Sequence, residues 1–308
     1  MKKILITGIE GFVGSYLAEY LQQKEYKIFG IHFADPIKKI GKLYQCDIRD
    51  YPHVLKIIKD VKPDAVYHLA AQSSVVQAEK NILDTFSINV QGTLNNLESI
   101  RQTNIKSRVI YISSCAVYGQ SSAKLTENSN TKPISFYATS KLCSEKICQY
   151  YANHYGLNIV MLRPFSHTGA GQSEQFIFPR IAKRVAEIEA GLAEPLLTVG
   201  NINIRHDYMD VLDIIRAYEL ALTKCKSGEV YNITSGKPRW IKKEIEYIIS
   251  LTNKNIQIES DKSLIRTNDI SLLTGSAQKF SKLTGWKPQI NFHKTLSDLL
   301  NYYREKIT

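Results

Sequence analysis

The 308-residue sequence is poor in cysteine: Cys46, Cys115, Cys143, Cys148 and Cys225 are the whole set, with no CxxC and no cysteine–histidine ligand spacing. That argues against a disulfide scaffold or a structural metal, and fits a reduced, cytoplasmic protein. No apolar run approaches the ~20 residues that a membrane-crossing helix needs. Residues 1–8 begin like an export signal, but Gly8, Glu10 and Gly11 interrupt the apolar stretch before it reaches export length. Also missing are internal repeats, low-complexity linkers and any dense block of one charge. The net charge is +11, yet the lysines are scattered. A solvated Lys-rich surface is therefore expected, and not a nucleic-acid partner.

What is present suits a globular enzyme. Hydrophobic residues make up 44% and charged residues 22%, ordinary values for a folded protein. The length allows one large α/β unit or two closely joined lobes. Residues 3–7 form a short apolar run, as a buried parallel strand should. Gly8, Gly11 and Gly14 follow at once, and then an amphipathic helix to about residue 23. A glycine turn between strand and helix lets backbone N–H groups approach a pyrophosphate at the positive helix end. Further strands are expected at 27–31, 43–46, 65–69, 108–113 and 158–163, with helices at 52–60, 84–103 and from Tyr137 to a stop at Gly156. Ser135 is the expected cap of that last helix. Beyond residue 164 come a polar loop, a helix near 176–191, a strand near 196–199, a helix at 210–223, a strand-like run at 230–233 and a helical tail.

This alternation predicts an α/β fold, a doubly wound (Rossmann) parallel sheet with a smaller C-terminal substrate-binding lobe. Residues 1–165 would form the dinucleotide-binding domain, with 203–230 returning to it; 166–202 and 231–308 would form the lobe. Ligands collect at the carboxyl ends of the strands in such sheets. The glycine turn, His68–Ala71, Ser114 and the loop after Arg163 all fall there. Asp47 and Ile48 stand where an adenine ring could be contacted. The tip of the second strand, Gly30-Ile31-His32-Phe33, carries neither an acid for a ribose nor an arginine for a 2′-phosphate. Asp35 lies further on, and Lys38 and Lys39 are within reach of a phosphate from the loop. NADP and NAD both stay open, with a lean to NADP.

Three Tyr/Lys pairs share the i, i+4 spacing that places both residues on one helix face: Tyr20/Lys24, Tyr137/Lys141 and Tyr302/Lys306. Only Tyr137/Lys141 falls at the ligand edge. An ammonium beside a tyrosine favours the phenolate, and the pair can exchange a proton with a carbonyl or hydroxyl.

In combination, Thr7-Gly8-x-x-Gly11-Phe-x-Gly14, His68-Leu-Ala-Ala71, Asn89-Val-x-Gly-Thr93, Ser113-Ser114, Tyr118-Gly119, Tyr137-x-x-x-Lys141 and Arg163-Pro164 resemble the extended short-chain dehydrogenase/reductase family over nearly the whole chain. The resemblance implies that Ser114 polarises a sugar carbonyl, Tyr137 moves the proton and Lys141 holds the nicotinamide ribose. It implies cofactor contacts from Gly8, Gly11, Phe12, Val13, Asp47, Ile48, Leu69, Ala70, Ala71, Asn89, Tyr137, Lys141 and Arg163.

Segments 163–172, 199–201, 207–211, 264–269, 273–276 and 285–288 resemble the branch acting on GDP-mannose derivatives, which contains GDP-mannose 4,6-dehydratases and GDP-4-keto-6-deoxymannose reductases. On that resemblance, Ser74, Ser114, Ser166, Gln172, Asn201, Arg205, Arg266 and Asp269 would bind a GDP-linked keto sugar. Arg266 would grip the diphosphate as a bidentate fork. His167 is read as a hydrogen-bonding member of the substrate loop and not as a catalytic acid. Ser166 stands where relatives often have asparagine, and Arg205-His206-Asp207 replaces an arginine directly before the aspartate.

Dehydratases of the branch carry a glutamate two places before the tyrosine of the Ser114–Tyr118 segment. Here that place is Ala116, which cannot take a proton, and Cys115 is a poor substitute unless its pKa is depressed. The expected activity is therefore reduction of a GDP-4-keto-6-deoxy-hexose to GDP-rhamnose or its 4-epimer. The alternative is a 4,6-dehydratase or epimerase that retains NAD(P). A redox-sensing binding protein that lost its chemistry is a rival from another class, and the intact Ser114/Tyr137/Lys141 set speaks against it. Apolar residues on helices 84–103 and 137–155, among them Leu94, Leu97, Cys143, Ile147 and Tyr151, point to a homodimer built on those helices.

Overall fold

The computed structural model describes residues 1–36, 38–264 and 269–307. The chain enters as β1 (Lys3–Thr7), whose Ile4, Leu5 and Ile6 are fully buried because helices cover both faces of the sheet. Next come α1 (Phe12–Gln23), β2 (Lys27–His32), β3 (Lys42–Gln45), α2 (Tyr51–Val61) and β4 (Ala65–His68). Then follow α3 (Val75–Lys80), α4 (Ile82–Phe86), α5 (Gly92–Thr103), β5 (Arg108–Ile112), α6 (Phe136–Tyr155) and β6 (Asn158–Pro164). Caps fix α6: Ser135 Oγ accepts from Ala138 N–H at 3.2 Å, and Gly156 closes the end with φ of 65°.

After β6 the chain forms β7 (Ser166–Thr168), α7 (Ile177–Glu189), β8 (Leu196–Val199), β9 (Arg205–Asp210), α8 (Val211–Lys224) and β10 (Val230–Ile233). It ends with β11 (Pro238–Trp240), α9 (Ile241–Ser250), β12 (Gln257–Ser260), β13 (Leu272–Leu273), α10 (Gln278–Thr284) and α11 (Phe292–Ile307). The large sheet runs β10-β6-β5-β4-β1-β2-β3, and every pair in it is parallel. One face is covered by α1 and α8 through residues such as Leu17, Leu21, Ile214 and Tyr218. The other lies under α2, α5 and α6, with Ile58, Leu97, Ile100 and Cys148 in the packing. A separate apolar core joins α7, α9 and α11 around Phe178, Ile245 and Leu296. The small sheet is β11-β9-β13, with β7 also paired to β9.

Several expectations shift. The helix expected at 84–103 begins at Ile82 and contains a π-helical turn, Ser87–Gln91, between α4 and α5. Helix α3 was not foreseen; Ser74 caps it, accepting from Gln77 N–H at 3.3 Å. The tail is not only helical, since β11, β12 and β13 interrupt it. Residues 231–233, assigned above to the lobe, belong to the edge of the large sheet, where Tyr231 packs on Phe280. Leu97 and Tyr151 are buried in the main core, so the apolar surface of these helices is a different set: Leu83, Phe86, Leu94, Tyr150 and Tyr155. Among the described residues no helix is long and apolar enough to cross a membrane.

Candidate active site

The glycine turn is built for close backbone approach. Gly8 has φ of 71°, and a Cβ there would meet Ala70 backbone atoms at 2.8 Å. A Cβ on Gly14 would lie 2.2 Å from the Gly8 carbonyl oxygen. The turn is therefore pressed against both Leu69-Ala70 and the first turn of α1, with Gly11 capping that helix and Phe12 and Val13 half-buried beside it. Such a cradle fits a dinucleotide pyrophosphate, whose charge the helix end favours.

His68, at the end of β4, is buried and locks the neighbouring elements. Its Nδ1 lies 2.8 Å from Thr7 Oγ1 and its Nε2 3.1 Å from Thr93 Oγ1. Burial, with a smaller push from Lys141, takes its pKa down to about 3, so it is a neutral structural group. Asn89 sits in the π turn and is 1% exposed. Its Oδ1 accepts from Gln72 N–H at 2.8 Å, and its Nδ2 donates to Ser140 Oγ at 2.8 Å. In this structure Asn89 positions the strand end against α6. A π turn at such a place is a recurrent mark of functional helices. Ile48 fills the space over Gly92, while Asp47 is held by Arg49, which lowers its pKa.

Ser114 and Tyr137 come together at this edge, near enough for Ser114 to lower the Tyr137 pKa. Lys141 is 4% exposed. Its ammonium lies over the Tyr111 ring at 5.0 Å. Burial brings Lys141 down to about 8. The sequence reading has that ammonium lowering the Tyr137 pKa; instead burial dominates and pushes Tyr137 up to about 12, partly offset by the Ser114 hydrogen bond. Tyr137 therefore stays protonated at neutral pH, as a proton donor should. Ala116 lies on the short turn after Ser114, its N–H donating to Ser114 Oγ at 3.1 Å. Cys115 is buried and its thiol is pushed up to about 12, so it offers no base at that position.

Sequence reasoning missed the partner of Arg163. Its guanidinium forms a buried bidentate pair with Glu145, with Nε to Oε2 at 3.0 Å, and lies over the Tyr118 ring at 4.7 Å. Ser113 Oγ donates to the same carboxylate at 2.8 Å. Arg163 thus ties α6 to β6 and supports the site from behind. The available signal was Glu145 itself, an acid four residues beyond Lys141 on the face that carries Tyr137.

The substrate-side residues are more dispersed. β7 and the loop after it fold over α1: His167 stacks on Phe12 at 6.4 Å, and Tyr16 Oη donates to the Ala170 carbonyl at 2.9 Å. Ser166 is half-buried at the start of β7, and Gln172 donates from Nε2 to the His167 carbonyl at 3.2 Å, leaving a buried Oε1 without a partner among the described residues. His167 has its pKa lowered by burial, and its Nδ1 is 2.9 Å from the Phe165 carbonyl. Further out, Asn201 and Lys242 border a cavity of about 330 Å³ with Gly200 and Ser260. Arg205 is exposed, over the Trp240 ring at 5.4 Å, and Asp269 is half-buried. Arg266 lies outside the described residues. Asp207 is fully buried and accepts from Thr234 Oγ1 at 2.5 Å, Ser235 N–H at 3.1 Å, Ser235 Oγ at 2.7 Å and Gly236 N–H at 2.6 Å. Its role is to hold the loop after β10. Among the described residues no cluster of His, Cys, Asp or Glu is arranged to hold a metal ion.

The chain matches the family model described as GDP-mannose 4,6 dehydratase over residues 5–299. It is similar to a GDP-6-deoxy-D-mannose reductase of Pseudomonas aeruginosa, 30% identical over 309 residues that span 99% of this chain and 98% of the relative. It is also similar to GDP-mannose 4,6 dehydratase 1 of Arabidopsis thaliana, 28% identical across 99% of this chain and 92% of that protein. Among solved structures, that of RMD from Pseudomonas aeruginosa complexed with NADPH superimposes with a TM-score of 0.89 at 30% identity, covering 99% of this chain and all of the other.

Proposed function

The chain belongs to the GDP-mannose 4,6-dehydratase family of extended short-chain NAD(P)-dependent oxidoreductases, and from that premise we propose that it reduces the 4-keto group of GDP-4-keto-6-deoxy-D-mannose. The product would be GDP-D-rhamnose or its 4-epimer. The observation that carries this choice is Ala116. Loss of water from a hexose needs a base beside the sugar carbon next to the carbonyl. Ala116 has no such group, and the neighbouring Cys115 thiol is buried with its pKa raised. Reduction needs no base there.

A bound reduced nicotinamide supplies hydride to the carbonyl carbon. Ser114 donates a hydrogen bond to the carbonyl oxygen as negative charge develops on it. Tyr137, protonated at neutral pH, transfers its proton to that oxygen. Lys141, charged below about pH 8, would hold the nicotinamide ribose beside Tyr137. Gly8, Gly11, Phe12 and Val13 hold the dinucleotide, with Asp47, Ile48, Leu69, Ala70 and Ala71 along its groove. Asn89 and Arg163 keep β4, β6 and α6 in place. Ser74, Ser166, Gln172, Asn201, Arg205, Arg266 and Asp269 are proposed to bind the sugar nucleotide, and the cavity beside Asn201 is open enough to take part of it.

The test is incubation of the purified chain with GDP-4-keto-6-deoxymannose and NADH or NADPH, with product identification. Stoichiometric oxidation of the cofactor and a GDP-6-deoxyhexose product support the proposal. Conversion of GDP-mannose to the keto sugar without net cofactor use would establish the dehydratase alternative. A second copy of the chain is proposed to cover Leu83, Phe86, Leu94, Tyr150 and Tyr155, which form apolar surface on adjoining helices. A monomeric mass at micromolar concentration in light scattering would count against that dimer.

A further inference from the structure

Glu10 lies within the glycine turn, between Gly8 and Gly11. In the structure its carboxylate reaches the tip of β2, where Oε1 accepts from Phe33 N–H at 2.9 Å. Its second oxygen, Oε2, is buried and has no hydrogen-bond partner among the described residues. A dinucleotide held on a glycine turn places its adenosine ribose between that turn and the end of the second strand, where a carboxylate can accept from the 2′-hydroxyl. Here the strand ends at His32, an exposed Phe33, 65% accessible, follows it, and neither supplies an acid. Of the two loop lysines, Lys38 is paired with Glu19 at 2.9 Å and Lys39 is exposed.

We propose that Glu10 replaces the missing strand-tip acid, accepting the ribose hydroxyl through Oε2 and selecting NAD(H) over NADP(H). A 2′-phosphate would bring negative charge against a carboxylate already fixed by the Phe33 amide, and like charges at short range repel. This reverses the lean of the sequence reading toward NADP and separates this chain from its NADPH-bound relative. The selection uses the same cofactor groove as the proposed reductase. It is read by binding, so failure of one does not imply failure of the other.

Titration of the full chain with NADH and NADPH, followed by nicotinamide fluorescence, is expected to give NADH binding at least about tenfold tighter. Glu10→Gln keeps an acceptor for the Phe33 amide and removes the charge. It is expected to tighten NADPH at least about tenfold while changing NADH less than about threefold. 5′-AMP and adenosine 2′,5′-bisphosphate should reproduce the same preference at the ribose end alone. Equal or tighter binding of NADPH by the unmodified chain overturns the proposal. So does a Glu10→Gln variant whose ratio stays unchanged, the result if Glu10 only braces the strand.

Discussion

Replacing Glu145 by glutamine isolates the support behind α6. The carboxylate neutralises Arg163 through a bidentate contact and also accepts from Ser113, with both ion-pair side chains under 10% exposed. Glutamine keeps the shape and one acceptor oxygen, so the main loss is charge. Leaving one member of a buried pair uncompensated costs about 3–5 kcal/mol. At ~2–4 °C per kcal/mol for chains of roughly this size, the melting temperature is expected to fall by about 6–20 °C. Differential scanning calorimetry in the absence of ligand measures it. A paired change, Glu145→Leu with Arg163→Met, should recover at least half of the loss, because well-packed apolar pairs often equal buried ion pairs in stability. A drop of less than about 2 °C for Glu145→Gln would refute the assignment of this pair as the tie between α6 and β6.

Other outcomes follow from the same geometry. Tyr137→Phe removes the proposed proton donor but keeps the ring, so kcat should fall by at least about a hundredfold while NAD(P)H affinity stays within about threefold; near-normal turnover contradicts the assignment. A lysine depressed to about 8 is charged below that pH and neutral above it, so kcat under saturating cofactor should decline as pH rises through about 8. A flat profile to about pH 10 argues against a charged Lys141 in the reaction. His68 is neutral in the folded chain down to about 3 and takes a proton near 6.5 when unfolded. The unfolded state then binds more protons between those values, so stability is lost as pH falls through that window. Thermal melts at graded pH should show it, with a shallower slope in His68→Gln. Gly14→Ala places a Cβ 2.2 Å from the Gly8 carbonyl oxygen. Cofactor affinity should weaken at least about tenfold, or 1.4 kcal/mol, and unchanged titration would show that the turn yields without cost.

The large sheet was readable because buried parallel strands are short apolar runs and the turns between them carry glycine, as at Gly8 and Gly156. The Tyr137 pair was readable once position had separated it from Tyr20/Lys24 and Tyr302/Lys306. Less accessible were features made by tertiary contact. The Arg163–Glu145 pair spans 18 residues and two elements. Neither helical period nor motif shows that an interior acid meets a strand arginine. The π turn at Ser87–Gln91 carries no glycine or proline to announce it. Leu97 and Tyr151 follow an ordinary apolar helix pattern, and pattern alone does not say whether the sheet or another chain covers them. Burial also outweighed the local charge rule at Tyr137, because the ammonium of Lys141 lies over Tyr111.

The four donors gathered by Asp207 have a mechanical consequence. This carboxylate belongs to β9 of the small sheet, while its donors lie just beyond β10, the outer strand of the large sheet. The two sheets are thereby riveted at one buried point. Separating the sheets there would leave a buried carboxylate without its donors, at a cost of several kcal/mol. Any movement of the small sheet away from the large one would have to preserve or break these four hydrogen bonds.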